Sequence, residues 1–183
     1  MAALVAALLT QASDRAPWTA ALLGDRYAGK GAVIAATALA LAIGNTISVV
    51  GGLFVASLLS PNARDLLLAL ALLSAGVSGC WPIKPAKLRN WRLGAFGTSL
   101  LTIAMLSLGD RMQFITAALA VRSTTPALAA VGATIGALVV TTPAILLGSR
   151  TLRTLPTTAI RLGSAAVLLV FGTVQALAAL RLI

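Results

Sequence analysis

The chain is poor in the side chains on which most enzymes rely. Its 183 residues include no histidine, a single cysteine, Cys80, and only four acidic residues. The absence of histidine excludes Ser-His-Asp, Cys-His and zinc-protease arrangements, and one cysteine excludes an intrachain disulfide. A metal ion would therefore have to be bound by oxygen atoms. The scattered Asp residues offer no convincing hydrolase pair, so we do not expect the protein to be an enzyme.

Long hydrophobic runs dominate what is present. Hydrophobic residues make up 59% of the chain, charged residues 10%, and the mean hydropathy is +0.99, which is far outside the soluble range. The runs lie at roughly 1 to 24, 31 to 59, 65 to 83, 94 to 121, 127 to 148 and 162 to 180. Each run has close to the ~20 residues that a helix needs to cross a bilayer. None alternates in polarity as a barrel strand would. We predict an all-α integral membrane protein with six transmembrane helices.

The net charge of +10 is spread through short loops, and no soluble basic domain gathers it, so we expect no nucleic-acid partner. With six helices, one side of the bilayer receives nine basic residues and the other three. The nine are Arg26, Lys30, Lys84, Lys87, Arg89, Arg92, Arg150, Arg153 and Arg161, and the three are Arg64, Arg122 and Arg181. The positive-inside rule then places the loops after helices 1, 3 and 5 in the cytoplasm and both termini outside, in the cell (inner) membrane.

Two distant stretches, QASDRAPW at 11 to 18 and SLGDRMQF at 107 to 114, place an adjacent Asp and Arg within an apolar run. Asp110 lies 96 positions after Asp14, and this single offset aligns other residues of the two halves without a gap. The aligned pairs include Arg15 with Arg111, Arg26 with Arg122, Thr46 with Thr142, Gly52 with Gly148, and Gly76 with Gly172. Repeated Asp-Arg, loop Arg and Gly positions indicate an internal repeat.

Each half contains three predicted helices, and an odd number gives the second half the opposite orientation in the membrane. We therefore predict two inverted three-helix repeats, 1–83 and 94–183, joined by a basic cytoplasmic linker at 84–93 that contains KPAKLRNWR. A pseudo-two-fold axis in the membrane plane would bring the two Asp-Arg pairs together at the midplane, where secondary transporters hold their substrates. A cleaved signal peptide is an alternative for MAALVAALLTQAS, although this stretch lacks a basic n-region and belongs to the repeat.

The charged residues of the motifs are not expected to face lipid, because each costs roughly 2.5 to 3.5 kcal/mol at a helix centre. An i to i+3 spacing places Gln11 beside Asp14, and Ser107 beside Asp110, on one helical face. The predicted metal site consists of Asp14, Asp110, Gln11 and Ser107, with Arg15 and Arg111 as charge partners. Its hard oxygen ligands suit Ca²⁺, Mn²⁺, Mg²⁺ or Na⁺, and protons would compete for buried carboxylates as in an antiporter. Alternatively, the Asp-Arg pairs, direct or crossed between the halves, are ion pairs that bind nothing.

Polar residues continue across the predicted core. Asn45 and Thr46 lie in helix 2, and Thr141 and Thr142 lie at the matching place in helix 5. They are candidates to line an ion path, although such side chains also serve as hydrogen-bond partners between membrane helices. Pro17, inside helix 1, either frees backbone carbonyls for an ion or marks a tolerated kink.

The motifs resemble those of the Gdt-type, transmembrane-protein-165-like cation transporters, which are small proteins of two inverted three-helix repeats. The family signature, Glu-x-Gly-Asp-Lys/Arg-Ser/Thr, occurs once per repeat. SLGDRM keeps Gly109, Asp110 and Arg111, whereas QASDRA keeps only Asp14 and Arg15. The resemblance implies exchange of Mn²⁺ or Ca²⁺ for protons, with the two Asp residues at the metal site and no permanently bound cofactor. The family's two Glu positions are here Gln11 and Ser107, so the resemblance implies a divergent member with two acids instead of four.

Three functions are compatible with this pattern. The first is proton-coupled exchange of a divalent cation at a midplane site, with the bilayer, a metal ion and protons as partners. The second is a transport-inactive structural or regulatory membrane protein that keeps the fold, and the third is an exporter of another small cation. Whether the protein forms a homodimer is left open by the sequence.

Overall fold

The computed structural model describes residues 1–12, 14–82 and 93–182. This part of the chain forms helices and no strand, in the order α1 (Ala2–Gln11), α2 (Arg15–Arg26), α3 (Lys30–Ala56), α4 (Pro61–Gly79), α5 (Gly94–Ser107), α6 (Arg111–Arg122), α7 (Pro126–Thr154) and α8 (Thr157–Ala179). The all-helical fold class is confirmed for the described residues. Of the predicted linker at 84–93, only Leu93 lies within them.

The first and fourth predicted helices are each interrupted in the middle. α1 ends at Gln11 and α2 begins at Arg15, and in the second half α5 ends at Ser107 and α6 begins at Arg111. The prediction that an i to i+3 spacing places Gln11 and Asp14 on one face of a continuous helix is therefore wrong, as is the same statement for Ser107 and Asp110.

The chemistry of the Asp residues explains both interruptions. Asp14 and Asp110 are the N-caps of α2 and α6, and each carboxylate accepts a hydrogen bond from the next backbone N–H, at 2.6 and 2.7 Å. An Asp side chain that satisfies a free N–H stabilises a helix start more than a helix interior. In the second half, Gly109 has a φ of +80°, a left-handed conformation that ends a helix and that glycine adopts without strain.

The helix pattern repeats at the offset found in the sequence. α2, α3 and α4 begin at residues 15, 30 and 61, and α6, α7 and α8 begin 96 residues later, at residues 111, 126 and 157. The long helices differ in one respect, because α7 is kinked at Gly148, where φ is +78°, whereas α3 has no such kink at the equivalent Gly52. At the kink, the backbone N–H of Ser149 donates to the carboxylate of Asp25 at 2.8 Å.

The two halves pack through equivalent contacts. A Cβ atom at Gly76 of α4 would lie 2.7 Å from Leu169 of α8, and a Cβ atom at Gly172 would lie 2.9 Å from Leu73. The two contacts are equivalent, because Gly76 corresponds to Gly172, and Leu73 to Leu169, at the 96-residue offset. Glycine at both positions lets the helices approach closely, as in membrane helix pairs. α1 and α2 both pack on α7, and α5 and α6 both pack on α3.

The surface carries apolar stripes. On α3, Leu39, Ile43, Ile47 and Val50 are 44 to 53% exposed and, at a spacing of three or four residues, lie on one face. A soluble monomer rarely leaves such a stripe exposed. Among the described residues, α3, α7 and α8 are long and apolar enough to cross a membrane by length and composition. These features are those of an integral membrane protein.

Candidate cation site

The two helix interruptions lie beside each other in the core. Asp14 and Asp110 line one cavity of about 500 Å³, together with Arg15 and Arg111. The two carboxyl groups, one from each half of the chain, therefore lie on the wall of the same cavity. Both Asp-Arg pairs, 96 residues apart in sequence, thus contribute to a single space, which we call the polar cavity.

Arg111 connects the two halves across the polar cavity. One of its terminal nitrogens, Nη2, lies 3.5 Å from Oδ1 of Asp14, and the other donates to the hydroxyl of Ser78 at 3.3 Å. A tight charge-assisted hydrogen bond is about 2.7 to 2.9 Å long, so the contact with Asp14 is a loose one. The ion pair is crossed between the repeats, and Arg15 has an exposed side chain on the same cavity.

The helix starts shape the electrostatics of the polar cavity. α2 and α6 both begin there, and the partial positive charge of a helix N-terminus stabilises a nearby carboxylate. Each cap bond uses only Oδ1 of its Asp. The cap bonds hold both carboxylates in place, and they leave the second oxygen of Asp14 and of Asp110 outside the cap.

A second, much smaller space lies on the inner side of Asp110. It measures about 10 Å³, close to the volume that one water-sized sphere needs, and its lining includes Gln11, Asn45, Ser107 and Asp110. We call it the small pocket. Asp110 lines both the small pocket and the polar cavity. Three of the four predicted ligands therefore surround the small pocket, and Asp14 lies in the polar cavity.

Gln11 is the most unusual side chain of the small pocket. It is only 3% exposed, and its amide oxygen Oε1 is buried without a hydrogen-bond partner in the part of the chain that the structure describes. An unsatisfied buried acceptor costs about 1 to 3 kcal/mol, so this atom is available to a ligand or a water molecule in the pocket. An amide oxygen is a suitable neutral partner for a cation or for a water molecule.

The predicted path residues divide into two groups. Asn45 lines the small pocket, and its side-chain amide donates to the hydroxyl of Thr134 at 3.0 Å. Thr46, Thr141 and Thr142 line neither of the two spaces. The hydroxyl groups of Thr46 and Thr141 donate to carbonyl oxygens one turn earlier in their own helices.

Gln113 is a residue of the site that the sequence analysis missed. It lines the small pocket, and its Oε1 accepts the backbone N–H of Gly109 at 3.2 Å. Its Nε2 is buried and has no hydrogen-bond partner among the described residues. The repeat gave no signal for it, because the equivalent residue of the first half is Pro17. The available signal was local, since a Gln three residues after an N-cap Asp is typical of a helix start.

Two carboxylates are a small donor set for a metal ion. Across residues 1–12, 14–82 and 93–182, no group of three or more His, Cys, Asp or Glu side chains is placed to hold one. A cation at this place would depend on Asp14, Asp110 and neutral oxygens such as those of Gln11 and Ser107.

Comparison with known proteins identifies a family. Residues 1–86 and 95–181 match the family described as "Divalent cation/proton antiporter GDT1". The match covers both halves of the chain and confirms the resemblance drawn from the two motifs. No curated protein and no solved structure matches the chain.

Proposed function

The chain belongs to the GDT1 family of divalent cation/proton antiporters, and on this basis we propose that it exchanges Mn²⁺ or Ca²⁺ for protons at the polar cavity. The observation that carries the proposal is the meeting of Asp14 and Asp110, one from each half, in that cavity. This family is a family of transporters, which agrees with the expectation that the protein is not an enzyme.

The architecture that we propose has six membrane crossings in two inverted repeats, 1–83 and 94–183. Taken together, α1 and α2 make one crossing of sufficient length, and so do α5 and α6; the other crossings are α3, α4, α7 and α8. The constant offset of the helix starts and the exchanged contacts of α4 and α8 support this arrangement. Broken helices that meet at the midplane are a common way to build a transporter site.

The polar cavity is open to the surface on one side, because Trp81 and Leu108 in its lining are 65% and 60% exposed. Trp81 follows the C-terminal end of α4, next to the basic linker. By the positive-inside rule this side is cytoplasmic, and both termini are outside, in the cell membrane. The conformation is then one in which the site is open to the cytoplasm.

The exchange follows from the charges of the site. Two carboxylates that line the same cavity repel each other when both are ionised, and either a proton or a cation relieves the repulsion. A cation bound between Asp14 and Asp110 would displace the proton, and the proton would displace the cation. Gln11 and Ser107 would supply neutral oxygens beside this site. The loose contact of Arg111 with Asp14 would balance the charge while no cation is bound.

The test is transport by purified protein in liposomes, with Mn²⁺ or Ca²⁺ uptake driven by a pH gradient. We expect uptake by the wild type and loss of uptake in Asp14→Asn/Asp110→Asn. The matched control is Asp25→Asn, which removes an acid outside the site but keeps an oxygen that can accept the N–H of Ser149. Transport that is unchanged in the double variant would show that these carboxylates are not the site.

A transport-inactive membrane protein is the second candidate, and the crossed contact between Arg111 and Asp14 favours it. In this case the contact only joins the halves, so cations leave the melting temperature unchanged. Asp14→Asn/Arg111→Gln is then more stable than either single variant, because a buried charge without its partner is the costly state. Stabilisation of the wild type by Mn²⁺ or Ca²⁺ that is absent from Asp14→Asn/Asp110→Asn contradicts this candidate.

A further inference from the structure

The small pocket has an unusual combination of polar atoms. Gln11 presents an amide oxygen, which can only accept a hydrogen bond, and Gln113 presents an amide nitrogen, which can only donate. Both atoms are buried and have no hydrogen-bond partner among residues 1–12, 14–82 and 93–182. The assignment of the Gln113 amide is fixed by its other end, because Oε1 accepts the N–H of Gly109 at 3.2 Å.

A donor in the small pocket is unsuitable for a bare cation. The N–H bonds of Gln113 carry partial positive charge toward the pocket, and they would repel a metal ion placed there. A water molecule has the complementary set of groups, because it accepts from the Gln113 amide and donates to the Gln11 oxygen. The volume of about 10 Å³ is also close to what one water needs, and other polar groups in the lining supply further partners.

We propose that the small pocket binds one water molecule, held between Gln11 and Gln113, and that this water is the inner ligand of the transported cation. Asp110 lines both spaces, so a cation at its carboxylate in the polar cavity lies next to the pocket. The remaining lone pair of the water is directed to the cation. Gln11 then acts on the cation through the water, and a site with only two acids keeps part of the cation's hydration shell. This role for the water rests on the function proposed above.

Gly44 makes room for the arrangement. A Cβ atom at Gly44 would lie 2.5 Å from Nε2 of Gln113, which is closer than two such atoms approach. Gly44→Ala therefore moves the Gln113 amide without removing it. This gives a second variant, independent of Gln113→Leu, that disturbs the same water.

Radiolytic labelling tests the water directly, since hydroxyl radicals formed from bound water oxidise nearby side chains. Met112 lines the small pocket and is 3% exposed, whereas Met105 is 58% exposed. In wild-type protein in nanodiscs we expect Met112 to be oxidised despite its burial, and we expect a several-fold lower rate in Gln113→Leu and Gly44→Ala. Met105 serves as internal control, with an unchanged rate. Gln175→Leu, at a different cavity, leaves the labelling of Met112 unchanged.

Two results would overturn the water site: a Met112 that is not oxidised in the wild type, or one that is oxidised equally in Gln113→Leu and Gly44→Ala. The role as cation ligand has its own measurement, the affinity for Mn²⁺. We expect Kd to rise about tenfold in both variants, as for the loss of one hydrogen bond to a charged group. An unchanged Kd together with reduced labelling would refute the ligand role alone. A wild type that binds no Mn²⁺ would refute the proposed function, while the labelling would still decide whether the water is bound.

Discussion

At the scale of single residues, the neutral Gln11 and Ser107 add no acid to the proposed cation site. The polar cavity contains the carboxylates of Asp14 and Asp110 and the guanidinium groups of Arg15 and Arg111, so its formal charges cancel. A neutral site attracts a divalent cation less than an acidic one, and the difference is large where the dielectric constant is low. We therefore predict that the proposed site binds a divalent cation with low affinity.

Gln11→Glu is expected to reverse part of this effect. An added carboxylate at the small pocket, next to Asp110, should tighten Mn²⁺ binding about tenfold, or ~1.4 kcal/mol. Without the cation, the same variant should melt at a lower temperature than the wild type, because it buries an uncompensated charge. Calorimetric titration and thermal unfolding in nanodiscs measure the two effects. Gln175→Glu is the matched control, and a gain of equal size there would show that the effect is only long-range attraction.

The repeat shows which parts of the site the sequence could predict. The sequence could predict that Asp14 and Asp110 lie together, because the repeat identifies residues that occur once in each half. That they bind a cation stays a prediction. Gln113 occurs once, since Pro17 stands at its equivalent position, and the comparison of the halves could not reveal it. Its role depends on the distance to Gly44 and Gln11, which only the packing of three helices defines.

At the scale of helices, hydropathy predicts the membrane segments but not their interruptions. The run at 31 to 59 corresponds to α3, and the run at 127 to 148 ends at the kink of α7. Hydropathy does not predict the breaks after Gln11 and Ser107, because the mean hydropathy of a run hardly changes with one capping Asp. Their local signals, an Asp at each break and Gly109 before the second, were present in the sequence.

Gly109→Ala tests the importance of the second break. The left-handed backbone of Gly109 costs an L-residue roughly 1 to 2 kcal/mol, and no atom lies within 4 Å of the added Cβ, so strain is the only expected effect. We expect a lower melting temperature and weaker Mn²⁺ binding, because relief of the strain moves the Asp110 cap. Gly163→Ala is the control, since its Cβ also meets nothing and its φ is not left-handed. Equal melting temperatures for the two variants would contradict this account.

At the scale of the whole molecule, the two ends of the helix bundle are chemically different. Away from the open side, Nε of Arg122 lies 2.8 Å from Oδ1 of Asp65, and this ion pair joins α6 to α4. The residues equivalent to this pair, 96 positions away, are Arg26 and Arg161, which carry like charges. The open side therefore cannot form the same ion pair. For the proposed transporter, this asymmetry predicts a preference for the state in which Arg122 and Asp65 are paired and the cavity is open toward Trp81.

Arg161→Asp is expected to shift the protein toward closure of the open side. It places an Asp at the position equivalent to Asp65, where it could pair with Arg26, the equivalent of Arg122. Leu108→Cys in a Cys80→Ala background provides a thiol in the lining of the polar cavity, and its rate of labelling by a hydrophilic reagent measures access. An exposed ion pair contributes up to about 1 kcal/mol, so the rate should fall by up to about fivefold. Arg153→Asp makes the same charge change at a basic residue of the same loop side and should leave the rate unchanged. A similar fall in both variants would mean that net charge, rather than the missing ion pair, controls access to the site.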